Sequence, residues 1–133
     1  MPAHFEDIEP GAVVTLGEIG VEAEQIESFS AAFCPGWSAA DGAPDALVFA
    51  LWSSLDQAAA VDWPQLKRLG VDALRWARNP AAGSRLRGRM TIMAKDPVGE
   101  AKGIVFASHD LLDQDGRLVF SCLTRTLFAT RGG

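Results

Sequence analysis

Histidine and cysteine are scarce: the 133 residues include two of each, His4, His109, Cys34 and Cys122. The cysteines have neither a metal-ligand spacing nor the density of a secreted disulfide scaffold, so two reduced thiols and no metal site are expected. Long apolar runs are absent too. The longest, Ala46 to Trp52, is far too short to cross a bilayer. The opening MPAHFEDIEP is acidic and has no apolar segment of the secretory kind, which predicts a soluble, cytoplasmic protein with no membrane partner. Basic residues are missing from the first half: residues 1–66 hold eleven Asp or Glu and no Lys or Arg. With a net charge of −5, that argues against nucleic acid as a partner.

What is present is enough apolar material for a core. Hydrophobic residues make up 48% of the chain, which fits one compact domain over residues 1–133 with no compositional sign of disorder. The basic residues are concentrated: Lys67 to Arg89 holds seven of the twelve, against the single acid Asp72. Two readings stay open. These side chains are solvated strand faces pairing with the acidic half, or they form a rim that faces phosphate.

Hydrophobic period organises the rest. Pro10-Gly11 marks a turn, and Ala12 to Val21 is rich in β-branched and aliphatic residues, predicting a strand broken near Gly17 and Gly20. Ile26, Phe29 and Phe33 recur at helical spacing between Glu22 and Phe33; the early glutamates favour the helix start and Pro35 blocks its continuation. Pro44 suits the first turn of a second helix reaching about Ala60. Its first half, ALVFALW, is apolar on every side, so it predicts a helix with no solvent face that something must surround. Leu47, Leu51 and Leu55 line one of its faces, Val48 and Trp52 the next. Pro64 to Leu69 predicts a short helical turn capped by Gly70.

From Val71 the pattern is β. Strands are predicted over about 72–78, from Arg85 where arginines alternate with apolar residues to a break at Asp96-Pro97-Val98-Gly99, over 101–112, and over 118–129 after an Asp-Gly hairpin turn. Four consecutive strands on short loops make an antiparallel sheet, and curling it around the apolar helix buries both. The predicted class is α+β.

That arrangement is the hotdog fold, and the sequence resembles the MaoC-like dehydratases, relatives of (R)-specific enoyl-CoA hydratases. The resemblance lies in the opening HFEDIEPGAVVTLGEIGVEAEQIESFSAAFCP, in Leu74-Arg75-Trp76 followed by Pro80, Gly83 and Leu86, and in the hairpin from Leu112 to Val119, with Asp113 where Asn is usual. It implies a dimer whose sheets join edge to edge, as a homodimer or with a second hotdog chain. It also implies an acyl-thioester tunnel at the interface, with a CoA thioester as ligand or substrate and no other cofactor. Hydration in that family uses an Asp and a His five residues apart, on the loop before the buried helix, to position and deprotonate water. Backbone N–H groups near the helix start polarise the thioester carbonyl.

In this chain the loop reads FCPGWSAAD, and the family's Asp-Pro falls on Cys34-Pro35 while its His falls on Ala39. Both catalytic side chains are replaced. Asp41 matches a later acid of the loop, and Ser84 stands where an Asp usually follows Gly83. The resemblance therefore implies an acyl-CoA-binding framework without its hydratase pair, an accessory subunit of an enoyl-CoA hydratase-type complex. The alternatives are an active homodimeric hydratase or thioesterase with altered residues such as Asp41, and a CoA or acyl-chain sensor without turnover. Candidate binding residues are Cys34, Trp37, Ser38, Ala39, Asp41, Trp52 and Trp76. Each has a plain structural reading: Cys34 packed and inert at a helix C-terminus, Asp41 a turn residue, the tryptophans core, and His109 a structural imidazole. Some of Arg75, Arg78, Arg85 and Arg87 are expected to face CoA phosphates.

Overall fold

The computed structural model describes residues 4–132. Strand β1 (Val13–Gly20) leads to helix α1 (Ala23–Phe33) and then to α2 (Asp45–Ala59); β2 (Gln65–Trp76), β3 (Arg85–Val98), β4 (Lys102–Leu112) and β5 (Leu118–Ala129) follow. The strands form one antiparallel sheet in the order β1-β3-β4-β5-β2, so β1 and β2 are its edges.

The sheet wraps α2 because the strands alternate. Leu86, Met90 and Ile92 of β3, Val105, Ala107, His109 and Leu111 of β4, and Phe120, Cys122 and Phe128 of β5 are buried. Facing them are Leu47, Val48, Leu51, Trp52 and Leu55 of α2. Trp52 is the centre of this core, edge-on to His109 at 5.0 Å and tilted against Phe120 at 5.8 Å. Truncating a tryptophan packed in this way costs about 3–5 kcal/mol.

Several boundaries differ from the sequence expectation. Pro64 to Leu69 is not helical: β2 begins at Gln65, and Lys67 and Arg68 pair with Leu127 and Thr126 of β5. A waiting partner strand outweighs local propensity there. Strand β1 is not broken at Gly17, which instead sits at φ +96° in a bulge between Thr15 and Gly17. Strand β3 runs through Asp96-Pro97 to Val98. Its pairing with β1 ends at Thr91, so Pro97 lies on an open edge where its missing N–H breaks no ladder bond.

Helix α2 does have an open side. Ala46, Ala50, Ser54, Gln57 and Ala58 are exposed, because the sheet covers only one face of the helix. On α1, Ile26 is buried while Phe33 is exposed and stacks on Phe29. The 113–116 turn forms as expected: the Asp113 carboxylate accepts from the backbone N–H groups of Asp115 and Arg117. Those bonds hold its pKa below the ordinary carboxylate value.

Candidate functional site

The loop between α1 and α2 is tied down along its length. Cys34 caps α1, its N–H donating to Ser30 O at 2.8 Å. Gly36 turns the chain at φ +97°, and the Trp37 indole N–H reaches across to Gly42 O at 2.9 Å. Ser38 caps a short 3₁₀ turn over Ala39–Asp41 by accepting from Ala40 N–H. Gly42, at φ +90°, lies against the backbone of Asn79 and Pro80, where a Cβ would overlap the Asn79 carbonyl. Ala43 N–H donates to Pro80 O, the Asn79 amide donates to Ala43 O and to Asp45 Oδ1, and the Trp76 indole donates to Asp45 O. The structure thus brings Trp37, Ser38, Asp41 and Trp76 to one region at the head of α2.

The chemistry on that loop is sparse. Cys34 is half-buried and Ala39 exposed. Asp41 is exposed and makes no ion pair among the described residues. Among the described residues, no hydrogen bond or ion pair joins either imidazole to the loop. His4 sits in the N-terminal turn beside Asp7, which pairs with Arg131 at the other end of the chain. His109 is 1% exposed in the core, its Nε2 against Thr124 Oγ1 at 3.0 Å and its Nδ1 without a partner among the described residues.

Burial, with a smaller contribution from the Arg68 guanidinium, lowers the His109 pKa to about 3. The folded state therefore holds this ring neutral while the unfolded chain takes up a proton near the ordinary histidine value. The stability this gives is complete above the unfolded pKa and is lost as pH falls toward about 3. Between pH 7 and pH 4 it amounts to about 3 kcal/mol. Urea midpoints across that range should fall much less for His109→Gln than for the parent. The Cys122 thiol, in the same interior, is pushed up by burial to about 12 and is unreactive.

A second polar group lies where sequence reasoning named no site. Asp56 is buried on α2 and pairs with Arg68 of β2, whose guanidinium lies 5.9 Å from the centre of the Trp52 ring. Burial raises the Asp56 pKa, outweighing the pull of Arg68. The pair separates two spaces. Outside it is a groove of about 240 Å3 bounded by Phe49, Trp52, Ser53, Gln57, Gln65 and Val71. Inside is a cavity of about 20 Å3 between Trp63, Met90, Thr124, Thr126 and Phe128. One signal was legible: Asp56 continues the Val48–Trp52 stripe at a four-residue step, placing a carboxylate on a buried helix face.

Of the basic residues, Arg85 pairs with Glu18 and Arg89 with Asp110. Arg75, Arg78 and Arg87 are exposed with no ion pair among the described residues.

No protein-family model matches the sequence, and no curated protein matches it. Solved structures do. A MaoC-like dehydratase from Rhodospirillum rubrum superposes with a TM-score of 0.85 at 21% identity, over 96% of this chain and 97% of that one. One chain of the (3R)-hydroxyacyl-ACP dehydratase HadBC complex from Mycobacterium tuberculosis gives 0.67 at 22%, over 89% and 96%. A double-hotdog protein from the same organism gives 0.75 at 18%, this chain spanning 96% of its own length and 44% of that protein's. At these identities the shared property is the fold. The chain has the hotdog fold, as MaoC-like dehydratases and (R)-hydratases do. Among the described residues, no helix is long and apolar enough to cross a membrane.

Proposed function

We propose that this chain is an acyl-thioester-binding hotdog subunit that acts beside a second hotdog chain and has given up the hydratase pair. One observation carries the reading: the loop ahead of α2 offers a single carboxylate, Asp41, and no imidazole, while both imidazoles are held elsewhere. General-base activation of water needs a group within hydrogen-bond reach of it, and a thiol and a methyl at Cys34 and Ala39 do not supply one. Thioester binding is supported by the head of α2. The Asp45 and Ala46 N–H groups precede the first bonds of α2, those of Leu47 and Val48 to Pro44 O, and can polarise a carbonyl. Trp37 and Trp76 flank that helix start, and Ser38 lies on the same loop. Arg75, Arg78 and Arg87 have charge to spare for phosphate, whether on coenzyme A or on a carrier protein's prosthetic arm.

The partner is suggested by what the fold leaves open. Both edge strands are unpaired on one side, and along β2 the exposed side chains include Leu66, Leu69, Leu74 and Trp76. An exposed apolar edge favours association. The HadBC neighbour is a dehydratase complex, one chain of which shares this fold, which supports a heterologous partner.

A second reading, an active homodimer using Asp41, draws on that residue's exposure and lack of an ion pair. Turnover of the purified chain on a panel of enoyl- and acyl-CoA substrates decides between the two. The expected result is no hydration or hydrolysis above background, and the same for Asp41→Asn. Turnover that Asp41→Asn abolishes overturns the noncatalytic reading.

A further inference from the structure

The side of α2 that the sheet leaves open is unlike a helix face kept in water. Over residues 46–61 the one charged side chain is Asp56, and it is buried against Arg68. What this stretch exposes is Ala46, Ala50, Ser54, Gln57, Ala58 and Val61, whereas a helix face in contact with solvent normally carries charge. The open side runs on into the edge of the sheet, since the groove between them is walled by Phe49, Ser53 and Gln57 of α2 and by Gln65 and Val71 of β2. The edge adds the exposed Leu66, Leu69, Leu74 and Trp76. Helix face, groove and strand edge make one surface, mostly apolar.

Its charges have one sign to spare. Asp56 is held by Arg68 and Asp72 by Arg125, so both acids of the surface are engaged. Lys67 and Arg75 are exposed with no ion pair among the described residues. The ladder fixes where these two cations meet a partner. Gln65 and Trp76 sit opposite Phe128 and Phe120 of β5, and Lys67 and Arg75 one rung inside them, opposite Leu127 and Ser121. Both project from the face turned away from α2, because the alternate residues Phe120, Cys122 and Phe128 are the buried ones.

A second copy of this chain fits that edge badly. Two β2 strands overlapping fully and antiparallel about a twofold axis set each Lys67 against the other copy's Arg75. Side chains facing one another across a β-pair are about 5 Å apart, and like charges there are destabilising. A slip of the register that parts them shortens the overlap. Asp62 and Arg78 lie beyond the two ends of the strand and offset each other, so the imbalance stays within β2. A strand with Asp or Glu on those two rungs turns the same geometry into attraction.

We infer that β2 and the open side of α2 receive a second hotdog chain whose facing edge is acidic, and that Lys67 and Arg75 select against pairing with a copy of this chain. This inference rests on the hotdog-partner reading above and adds the chemistry of the partner's edge.

The test is the sign of the salt dependence. Sedimentation at about 20 mM and about 500 mM salt, which shortens the screening length from about 20 Å to about 4 Å, compares the parent, Lys67→Glu/Arg75→Glu, and their equimolar mixture. Self-association of the parent should be weak and should strengthen with salt. The mixture should associate about tenfold more tightly than the parent alone at low salt and should loosen as salt is added. The hotdog partner isolated with the parent should likewise release at high salt and bind the double variant at least about tenfold more weakly. Equal binding of that partner to parent and variant, or a mixture no tighter than the parent alone, overturns the inference and leaves the partner reading standing. A parent homodimer that loosens with salt, with no second hotdog chain in the native isolate, overturns both.

Discussion

Replacing Arg68 with Ala is expected to cost about 3–5 kcal/mol of folding stability, because it leaves the Asp56 carboxylate buried without its counter-charge. In a chain of this size that corresponds to a fall in Tm of about 10–20 °C. Removing both charges together should be far milder. Asp56→Leu/Arg68→Leu trades a buried ion pair for apolar side chains and is expected to stay within about 1 kcal/mol of the parent or above it. The large effect thus belongs to the orphaned charge. It also carries a pH signature. Burial raises the Asp56 pKa in the folded protein, and losing Arg68 raises it further. For an acid with a raised folded pKa, the folded state binds the proton more tightly than the unfolded chain, so stability is fullest below the unfolded pKa and falls as pH rises through the folded one. Arg68→Ala should therefore recover part of its deficit in mildly acidic buffer, which guanidinium unfolding curves at two pH values would reveal. A deficit that is the same at both would show that the loss is one of packing against Trp52 alone.

The second large effect is a gain. If Cys34 and Ala39 occupy the places of the hydratase acid-base pair, Cys34→Asp/Ala39→His should raise hydration of a short enoyl-CoA by about 10²–10⁴ over the parent. Both positions accept the change: Ala39 is exposed, and Cys34 is half-buried at a helix end where its side chain makes no hydrogen bond among the described residues. Each single substitution should give little, since a base and the group that orients it work as a unit. Absorbance loss of the conjugated thioester is the readout. A double variant that melts like the parent, binds the thioester and shows no gain would mean that the loop register is wrong.

Most of the architecture was legible because it follows from period. Alternation at Arg85 to Ile92 and the apolar run of α2 called for a sheet around a helix, and the Asp113–Gly116 turn announced its own hairpin. The errors have local physical causes. Pro64 to Leu69 looked helical because its decisive partner, β5, lies about sixty residues downstream, and Pro97 looked like a strand end because nothing in the sequence tells an open edge from a paired one. The loop's poverty in catalytic groups was readable residue by residue. The Asp56–Arg68 pair was not, since twelve residues separate its members in sequence and only the return of β2 across α2 brings them together. What was visible was half of it, an aspartate on an apolar stripe.

The decisive measurement is isolation of the protein from its native source under gentle conditions, with the mass of the intact assembly and the identity of each chain determined. A hotdog subunit without an acid-base pair should come with a second hotdog chain that carries the Asp and the His, and hydratase activity should vanish when that chain's histidine is replaced. A homodimer of this chain alone that hydrates enoyl thioesters would contradict the account.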